Sequence, residues 1–198
     1  MYTVFITGPL ASGKRCACLY LAQKGFTHID LDAMAKGFLD DEAVQKQLVA
    51  AYGTAICDSS GAIDKARLAQ CAFAKKGSSD TLNGIIWPLV KKRLSKILAK
   101  GHSQPNQNNS KFVVEVAMLA EAPDMLDLAN AVIGITADKN TRIERALARG
   151  MVRDDILNRI ALQATDEKRA QVCDLVIDNS GSLEQLYKEL DAWFASLE

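Results

Sequence analysis

The chain has 198 residues, 48% of them hydrophobic, and its 24 basic residues equal its 24 acidic residues in number. This length allows one substantial hydrophobic core and leaves little room for a second independent domain. The balanced charge excludes a general attraction for nucleic acid or for an anionic membrane surface. No run approaches the roughly 18 apolar residues of a membrane span, and the first residues lack a signal-peptide pattern. A soluble, cytoplasmic protein that binds a small polar ligand is therefore expected.

Short apolar runs alternate with segments of helical pattern, and this order predicts an α/β protein with a five-stranded parallel sheet flanked by helices. We expect strands at residues 3–7, 27–31, 112–116, 131–136 and 175–178. We expect helices at residues 13–24, 41–52, 64–74, 81–100, 138–149, 154–163 and 183–197. About 80 residues of mostly helical pattern separate the second strand from the third, far more than one crossover needs. This stretch is predicted to be a helical insertion that binds the substrate.

The first predicted strand runs directly into a segment with the spacing Gly-x4-Gly-Lys, from Gly8 to Lys14. Because glycine has no Cβ, the backbone N–H groups of such a loop can wrap around a β-phosphate, and the lysine ammonium lies near the β- and γ-phosphates. The following helix adds the positive end of its dipole. The segment therefore predicts a nucleotide-binding loop made of Gly8, Leu10, Ala11, Ser12, Gly13, Lys14 and Arg15.

Two carboxylates, Asp30 and Asp32, lie around the end of the second predicted strand, at the edge where open α/β sheets bind their ligands. A phosphate loop followed by Ile-Asp-x-Asp resembles the pattern of the dephospho-coenzyme A kinase family. The similarity extends over nearly the whole chain through the order and spacing of Tyr52-Gly53, residues 61–68, Leu119, Glu121, Arg145, Arg149, Arg159, Gln163 and residues 174–181.

The resemblance implies a P-loop fold of the nucleoside-monophosphate-kinase type in a single domain. Its core would comprise residues 1–32, 112–140 and 165–198, with a substrate-binding insertion at 33–111 and a lid at 141–164. The implied reaction transfers the γ-phosphoryl group of ATP to the 3′-hydroxyl of dephospho-coenzyme A, the last step of coenzyme A synthesis. ATP and Mg²⁺ are the implied cofactors and dephospho-coenzyme A the implied partner, while the oligomeric state is left open.

The same resemblance implies roles for residues at the edge of the sheet. Asp32 would be the general base that accepts the hydroxyl proton, while Lys14, Mg²⁺ and the loop amides stabilise the transferred group. Asp32 is also expected to cap a following helix, and Asp30 is the alternative base. After the last strand, Asn179 and Ser180 are expected to contact the adenine or its neighbourhood, with an ordinary strand-ending turn as the alternative.

Arg142, Arg145 and Arg149 recur at spacings of three and four, which predicts that they share one face of a helix. The arrangement resembles the lid of nucleoside-monophosphate kinases, which closes arginines over the transferring phosphate and excludes water. The resemblance therefore makes Arg145 and Arg149 catalytic. The alternative is a solvated helix face on which Glu144 and Asp154 balance the arginines.

Arg15 departs from the family pattern at the position of the Ser or Thr whose hydroxyl binds Mg²⁺, and an arginine cannot ligate a metal. In one interpretation Arg15 contacts a phosphate, and Mg²⁺ is held by the nucleotide and through water by Asp32 or Glu121. Losing one hydroxyl then weakens Mg²⁺ binding without abolishing it, because Mg²⁺ commonly keeps several waters. In the other interpretation Arg15 fills the metal position, and the protein is a catalytically impaired nucleotide- or coenzyme A-binding paralogue.

Three further residues differ from the family pattern: Trp87 before Pro88, Ala117, and Glu115 at the end of the third strand. These changes leave open a P-loop kinase for another small hydroxyl compound. Trp87 lies in an apolar helical stretch and is predicted to pack in the core. A buried Glu115 would need a partner or become protonated. Because the third strand should lie beside the first, Arg15 is considered as that partner, with exposure of Glu115 to solvent as the alternative.

Overall fold

The computed structural model describes residues 2–72, 74, 79–102, 110–117, 119–121 and 123–197. The strands are β1 (Tyr2–Thr7), β2 (Phe26–Asp30), β3 (Lys111–Glu115), β4 (Ala131–Thr136) and β5 (Leu175–Asp178). The helices are α1 (Lys14–Gln23), α2 (Leu31–Phe38), α3 (Glu42–Tyr52), α4 (Lys65–Ala72), α5 (Asp80–His102), α6 (Lys139–Ala148), α7 (Arg153–Leu162), α8 (Asp166–Ala170) and α9 (Leu183–Ala195). None of the helices in these described ranges has the length and hydropathy of a membrane span.

The strands form one parallel sheet in the order β2-β3-β1-β4-β5. This confirms the predicted fold class, and each strand lies within one residue of its expected position. The connection after β1 leads toward one edge of the sheet, and the connection after β3 leads to the other side of β1. A topological switch point, the usual ligand site of such sheets, therefore lies at the carboxyl ends of β1 and β3.

The sheet and two helices bury a continuous apolar core around β1. Val4 and Ile6 of β1 are fully buried, as are the α1 residues at the spacing expected for one helix face: Ala17, Cys18 and Leu21. Leu186 and Leu190 of α9 belong to the same core. On the outer side of this contact the rings of Tyr20 and Tyr187 stack with their centroids 4.1 Å apart. The helix that follows the glycine-rich loop is thus packed on the sheet through Ala17, Cys18 and Leu21.

The chain divides into two compact units, one made of Met1–Asp30 with Leu98–Glu198 and the other of Leu31–Ile97. The first contains the sheet. The second contains α2, α3, α4 and most of α5, and its buried residues include Leu48, Leu68 and Val90. It overlaps the expected insertion at 33–111, whose role in substrate binding stays a prediction.

The sequence-based prediction missed α8, and it included α2 only as a helix of unstated length that Asp32 would cap. The second strand was expected to continue to residue 31, but β2 ends at Asp30 and α2 begins at Leu31 without an intervening loop. A buried Leu31 fits either a strand end or a helix start, so its hydrophobicity does not mark the boundary. The five-residue α8 is too short to show a helical period.

Truncating Leu21 to alanine is expected to lower the free energy of unfolding by about 2–5 kcal/mol, because the side chain is fully buried between α1 and the sheet. Leu19→Ala is the matched control, since Leu19 lies on the same helix and is 46% exposed. It should change stability by no more than about 0.5 kcal/mol. Equilibrium unfolding in urea measures both, and equal losses would contradict the packing of α1.

Candidate active site at the phosphate loop

The loop between β1 and α1 approaches its neighbours more closely than a side chain allows. A Cβ at Gly8 would lie 2.1 Å from the carbonyl oxygen of Ile135 in β4. A Cβ at Gly13 would lie 2.2 Å from Nδ2 of Asn179, and Gly13 has a φ of +108°, in the left-handed region. Both glycines of the Gly-x4-Gly-Lys spacing are therefore required by close contact, and Gly13 also by its backbone conformation.

Ala11 is the described non-glycine residue with a positive φ, at 58°. Left-handed backbone costs such a residue roughly 1 kcal/mol or more and persists where the surroundings hold it. Ala11 is buried among Ile143, Ala146 and Ile156, which come from α6 and α7. The helix pair predicted as the lid thus packs against the tip of the loop.

Lys14 begins α1 and extends back over the loop. Its Nζ donates hydrogen bonds to the carbonyl oxygens of Gly8 and Pro9, at 2.9 and 3.0 Å. The ammonium therefore lies at the loop, where the Gly-x4-Gly-Lys spacing predicts it.

Asn179, just beyond β5, supports the loop from the core. Its side chain is 2% exposed, and Nδ2 donates to the carbonyl oxygen of Ser12 at 2.8 Å. The neighbouring Ser180 hydroxyl donates to Asp178 at 2.6 Å and accepts from the backbone N–H of Asp138 at 2.9 Å. Asn179 thus reaches the nucleotide-binding loop itself, and Ser180 organises the turn that leads to α6.

A second side chain binds the loop from the end of α7. The backbone N–H of Leu10 donates to Oε1 of Gln163 at 2.9 Å, a contact between residues 153 positions apart. Sequence reasoning named Gln163 only through the family resemblance. No local pattern predicts such a long-range contact, because it depends on how α7 packs.

The three arginines of the predicted lid face have different surroundings. Arg142 is 7% exposed and its Nη2 lies 3.6 Å from Asp166 of α8. Arg145 is half-buried and its Nη2 donates to the carbonyl oxygen of Gly181 at 3.4 Å, while Arg149 is exposed at the end of α6. The carboxylate beside Arg142 is Asp166, a residue that the sequence argument did not consider. Burial therefore falls from Arg142 to Arg149 along the helix.

Two carboxylates stand side by side at the ends of β2 and β3, where Asp30 and Glu115 are register partners. Nη1 of Arg15 lies 3.7 Å from Oδ2 of Asp30, and Oε2 of Glu115 lies 3.3 Å from Nε2 of His28. The predicted pairing of Arg15 with Glu115 is therefore wrong. The Arg15 side chain is 68% exposed and reaches the more open carboxylate, whereas the Glu115 side chain is 15% exposed and faces His28.

The pKa of Glu115 responds to its burial and to the charges around it. Burial raises the pKa of Glu115, and the nearby Asp30 carboxylate raises it further. The charges of Lys14, His28 and Arg15 act in the opposite direction on the same pKa. Glu115 is therefore neither fully solvent-exposed nor the partner of Arg15. Its neighbour is His28, a residue that sequence reasoning did not consider.

The remaining predicted residues lie outside the loop. Asp32 is exposed in the first turn of α2, where the positive end of the helix dipole stabilises a carboxylate. The predicted cap position is wrong, because α2 already begins at Leu31. Trp87 is half-buried within α5, which continues through Pro88. Glu121 ends a 3₁₀ turn, and its side chain lies outside the described part of the structure.

A glycine-constrained loop with a lysine, placed between β1 and α1 at the switch point of a parallel sheet, defines a P-loop protein of the kinase class. The sequence model of the dephospho-CoA kinase family matches residues 2–185. The chain therefore belongs to the dephospho-CoA kinase family.

Individual relatives agree over nearly their full lengths. The dephospho-CoA kinase of Thermobifida fusca is 32% identical over 188 residues, covering 94% of this chain and 91% of the relative. That of Fusobacterium nucleatum is 28% identical over 187 residues, covering 94% and 93%. The crystal structure of TT1252 from Thermus thermophilus has a TM-score of 0.79 at 26% identity, covering 100% of this chain and 98% of the other. The Campylobacter jejuni dephospho-CoA kinase shares the fold, with a TM-score of 0.66 at 22% identity over 98% and 96% of the chains.

Gly13→Ala is expected to weaken ATP binding by about tenfold or more, since a left-handed alanine alone costs about 1–2 kcal/mol and the new Cβ would also displace Asn179. Gly25→Ala is the matched control, because Gly25 has a φ of +95° but nothing within 4 Å of an added Cβ. It should keep the wild-type affinity. Isothermal titration with ATP measures both variants, and equal affinities would argue against the contact between Gly13 and Asn179 as a requirement of the site.

Proposed function

We propose that this protein transfers the γ-phosphoryl group of ATP to the 3′-hydroxyl of dephospho-coenzyme A. The observation that carries the proposal is the family match over residues 2–185 in a chain whose glycine-constrained loop and Lys14 lie at the switch point of the sheet. The family match indicates the reaction, and the loop with Lys14 supplies a site suited to a nucleotide phosphate. Dephospho-coenzyme A enters the proposal as the substrate through the family match.

The loop fits the phosphates of ATP. Gly8 and Gly13 hold it against β4 and Asn179, and the first turn of α1 has no side-chain cap, so its amides and its dipole suit an anion. We assign phosphate binding to the backbone N–H groups of the loop, with Lys14 beside the β- and γ-phosphates. The residues assigned are Gly8, Leu10, Ala11, Ser12, Gly13, Lys14 and Arg15, and the N–H of Leu10 is held by Gln163 in this structure. Asn179 acts in this assignment by holding the loop through the Ser12 carbonyl. Bound ATP supplies the phosphoryl group.

Asp32 is the proposed general base. Its carboxylate would accept the proton of the attacking hydroxyl, while Lys14 stabilises charge on the transferred group. The alternative base, Asp30, lies 3.7 Å from the guanidinium of Arg15. In this contact the guanidinium lies against one oxygen of Asp30, which makes that carboxylate less accessible to a substrate hydroxyl. The contact therefore favours Asp32.

Mg²⁺ would be held mainly by the nucleotide and by water. Arg15 offers no ligand, and its exposed guanidinium is directed toward Asp30. Asp32 or Glu121 would contact the ion through water, in keeping with the several waters that Mg²⁺ retains in many sites. When bound, the ion neutralises charge on the phosphates.

The lid arginines would act on the transferring phosphate. Arg149 is exposed, and Nη1 of Arg145 has no hydrogen-bond partner among the described residues. We assign Arg145 and Arg149 to closure over the phosphate. Arg142 is excluded from this role because it is buried against Asp166.

The purified protein, incubated with ATP, Mg²⁺ and dephospho-coenzyme A, is expected to form coenzyme A and ADP in equal amounts. Lys14→Ala should abolish product formation. Asp32→Asn should keep ATP affinity but lower turnover by about 10²–10⁴-fold, the contribution of general base catalysis. Product analysis by liquid chromatography measures all three proteins.

The same experiment separates the competing functions. ATP binding without any coenzyme A would overturn the kinase and favour a non-catalytic paralogue. Phosphorylation of another hydroxyl compound, but not of dephospho-coenzyme A, would overturn the substrate. An Asp32→Asn variant that is as active as the wild type would remove Asp32 as the base.

Arg15→Ser is expected to lower the Mg²⁺ concentration needed for half-maximal turnover, because it restores a hydroxyl at the metal position. Arg15→Ala is the matched control, since it removes the same contact with Asp30 but adds no ligand. Initial rates over a range of Mg²⁺ concentrations distinguish the two variants. Identical Mg²⁺ dependence would show that position 15 is no longer a metal position in this chain. An inactive wild type with an active Arg15→Ser variant would instead support the impaired paralogue.

A further inference from the structure

A compact group of ligand-forming side chains lies beneath the phosphate loop. The sulfur of Cys18, an imidazole nitrogen of His28 and a carboxylate oxygen of Glu115 all lie within 4.8 Å of one another. They come from α1, β2 and β3. We propose that Cys18, His28 and Glu115 form a binding site for a divalent transition metal of the zinc class, separate from the nucleotide-bound Mg²⁺.

The distance between His28 and Glu115 suits two ligands of one metal. Nε2 and Oε2 lie 3.3 Å apart. Two atoms bound to zinc at about 2.0–2.1 Å with tetrahedral angles would be separated by about 3.3–3.4 Å. Although 3.3 Å is also within hydrogen-bond range, both atoms are buried and neither has a hydrogen-bond partner among the described residues. A shared metal would satisfy both buried atoms, which are otherwise costly to leave unpaired.

The fold holds the three side chains on rigid elements. His28 pairs in register with Val113, and Glu115 follows two residues later on β3, so both point to the sheet face that α1 covers. Cys18 lies on the buried face of α1 and is fully buried. Sites built on packed strands and helices keep their geometry better than sites on loops. A bound metal would therefore join three elements that already form part of one packed unit.

The donor set selects the kind of metal. A thiolate and an imidazole favour zinc and other late divalent transition metals, whereas Mg²⁺ prefers oxygen ligands. A thiolate, a carboxylate and a neutral imidazole carry a total charge that balances a divalent ion. Three protein ligands would leave one tetrahedral position for water.

Charged side chains of both signs lie around the three proposed ligands. Asp30 adds a negative charge nearby, while Lys14 and Arg15 add positive charge. Cys18 lies one helical turn beyond Lys14, so a metal here would tie the start of α1 to β2 and β3.

Metal content tests the proposal without relying on kinase activity. The whole protein is equilibrated with Zn²⁺ or Co²⁺, freed of excess metal on a chelating resin, and analysed by mass spectrometry of the metal. Wild type should retain about one equivalent, and the Co²⁺ form should show a thiolate-to-metal absorption band. Cys18→Ala and His28→Gln should each lower the affinity by more than about tenfold, at least the loss seen for residues that merely support metal ligands.

Cys16→Ala is the matched control, because Cys16 is a half-buried cysteine on the same helix and lies outside the cluster. It should bind metal as the wild type does. Zn²⁺ should also raise the midpoint of thermal unfolding of the wild type and of Cys16→Ala, but not of His28→Gln.

Two results would overturn the site: a folded wild type that retains no metal, or full binding by both Cys18→Ala and His28→Gln. If the folded wild type retains no metal, His28 and Glu115 form only a buried contact with each other, and Cys18 is an inert thiol beside them. Circular dichroism establishes that each variant is folded. Should Cys18→Ala fail to fold, Glu115→Gln takes its place beside His28→Gln, and the same readings apply. A failure of the kinase assay would not affect any of these measurements.

Discussion

The phosphate loop follows a path that depends on the close contact between Gly13 and Asn179. The Asn179 amide donates to the Ser12 carbonyl, and no Cβ fits at Gly13 beneath it. This hydrogen bond connects the end of β5 to the loop that follows β1, although Ser12 and Asn179 are 167 positions apart in the chain. Because β4 lies between these strands and limits the approach of Gly8 as well, the path of the loop depends on contacts from both β4 and the end of β5.

The same loop is held from its outer side by the helices of the predicted lid. Ala11 packs against α6 and α7, and the Leu10 amide binds Gln163. Any movement of α7 that breaks the contact with Gln163 would release a loop amide, which is a group suited to a phosphate. The Leu10 amide therefore connects the proposed lid with the proposed phosphate site.

The sequence predicted the sheet, the phosphate loop and the family because each depends on local patterns: apolar runs, the Gly-x4-Gly-Lys spacing and the Ile-Asp-x-Asp element. It failed where a result depends on packing or register. A pairing of Arg15 with Glu115 was considered beside exposure of Glu115 to solvent, because β3 was correctly expected to lie beside β1, which leads into the helix of Arg15. Whether an arginine reaches one of two adjacent carboxylates depends on their relative exposure, which sequence does not specify. His28 was missed because an isolated histidine in a strand carries no pattern.

The unusual residues of this chain are connected by one charge constraint. Parallel register places Asp30 beside Glu115, and two neighbouring carboxylates repel each other unless cations lie close to them. Arg15 lies against the first and His28 against the second. The arginine at the expected metal position thus has a structural explanation in the compensation of Asp30. A chain that carries a glutamate at the end of β3 places two carboxylates at this edge, and Arg15 and His28 are the residues that lie against them.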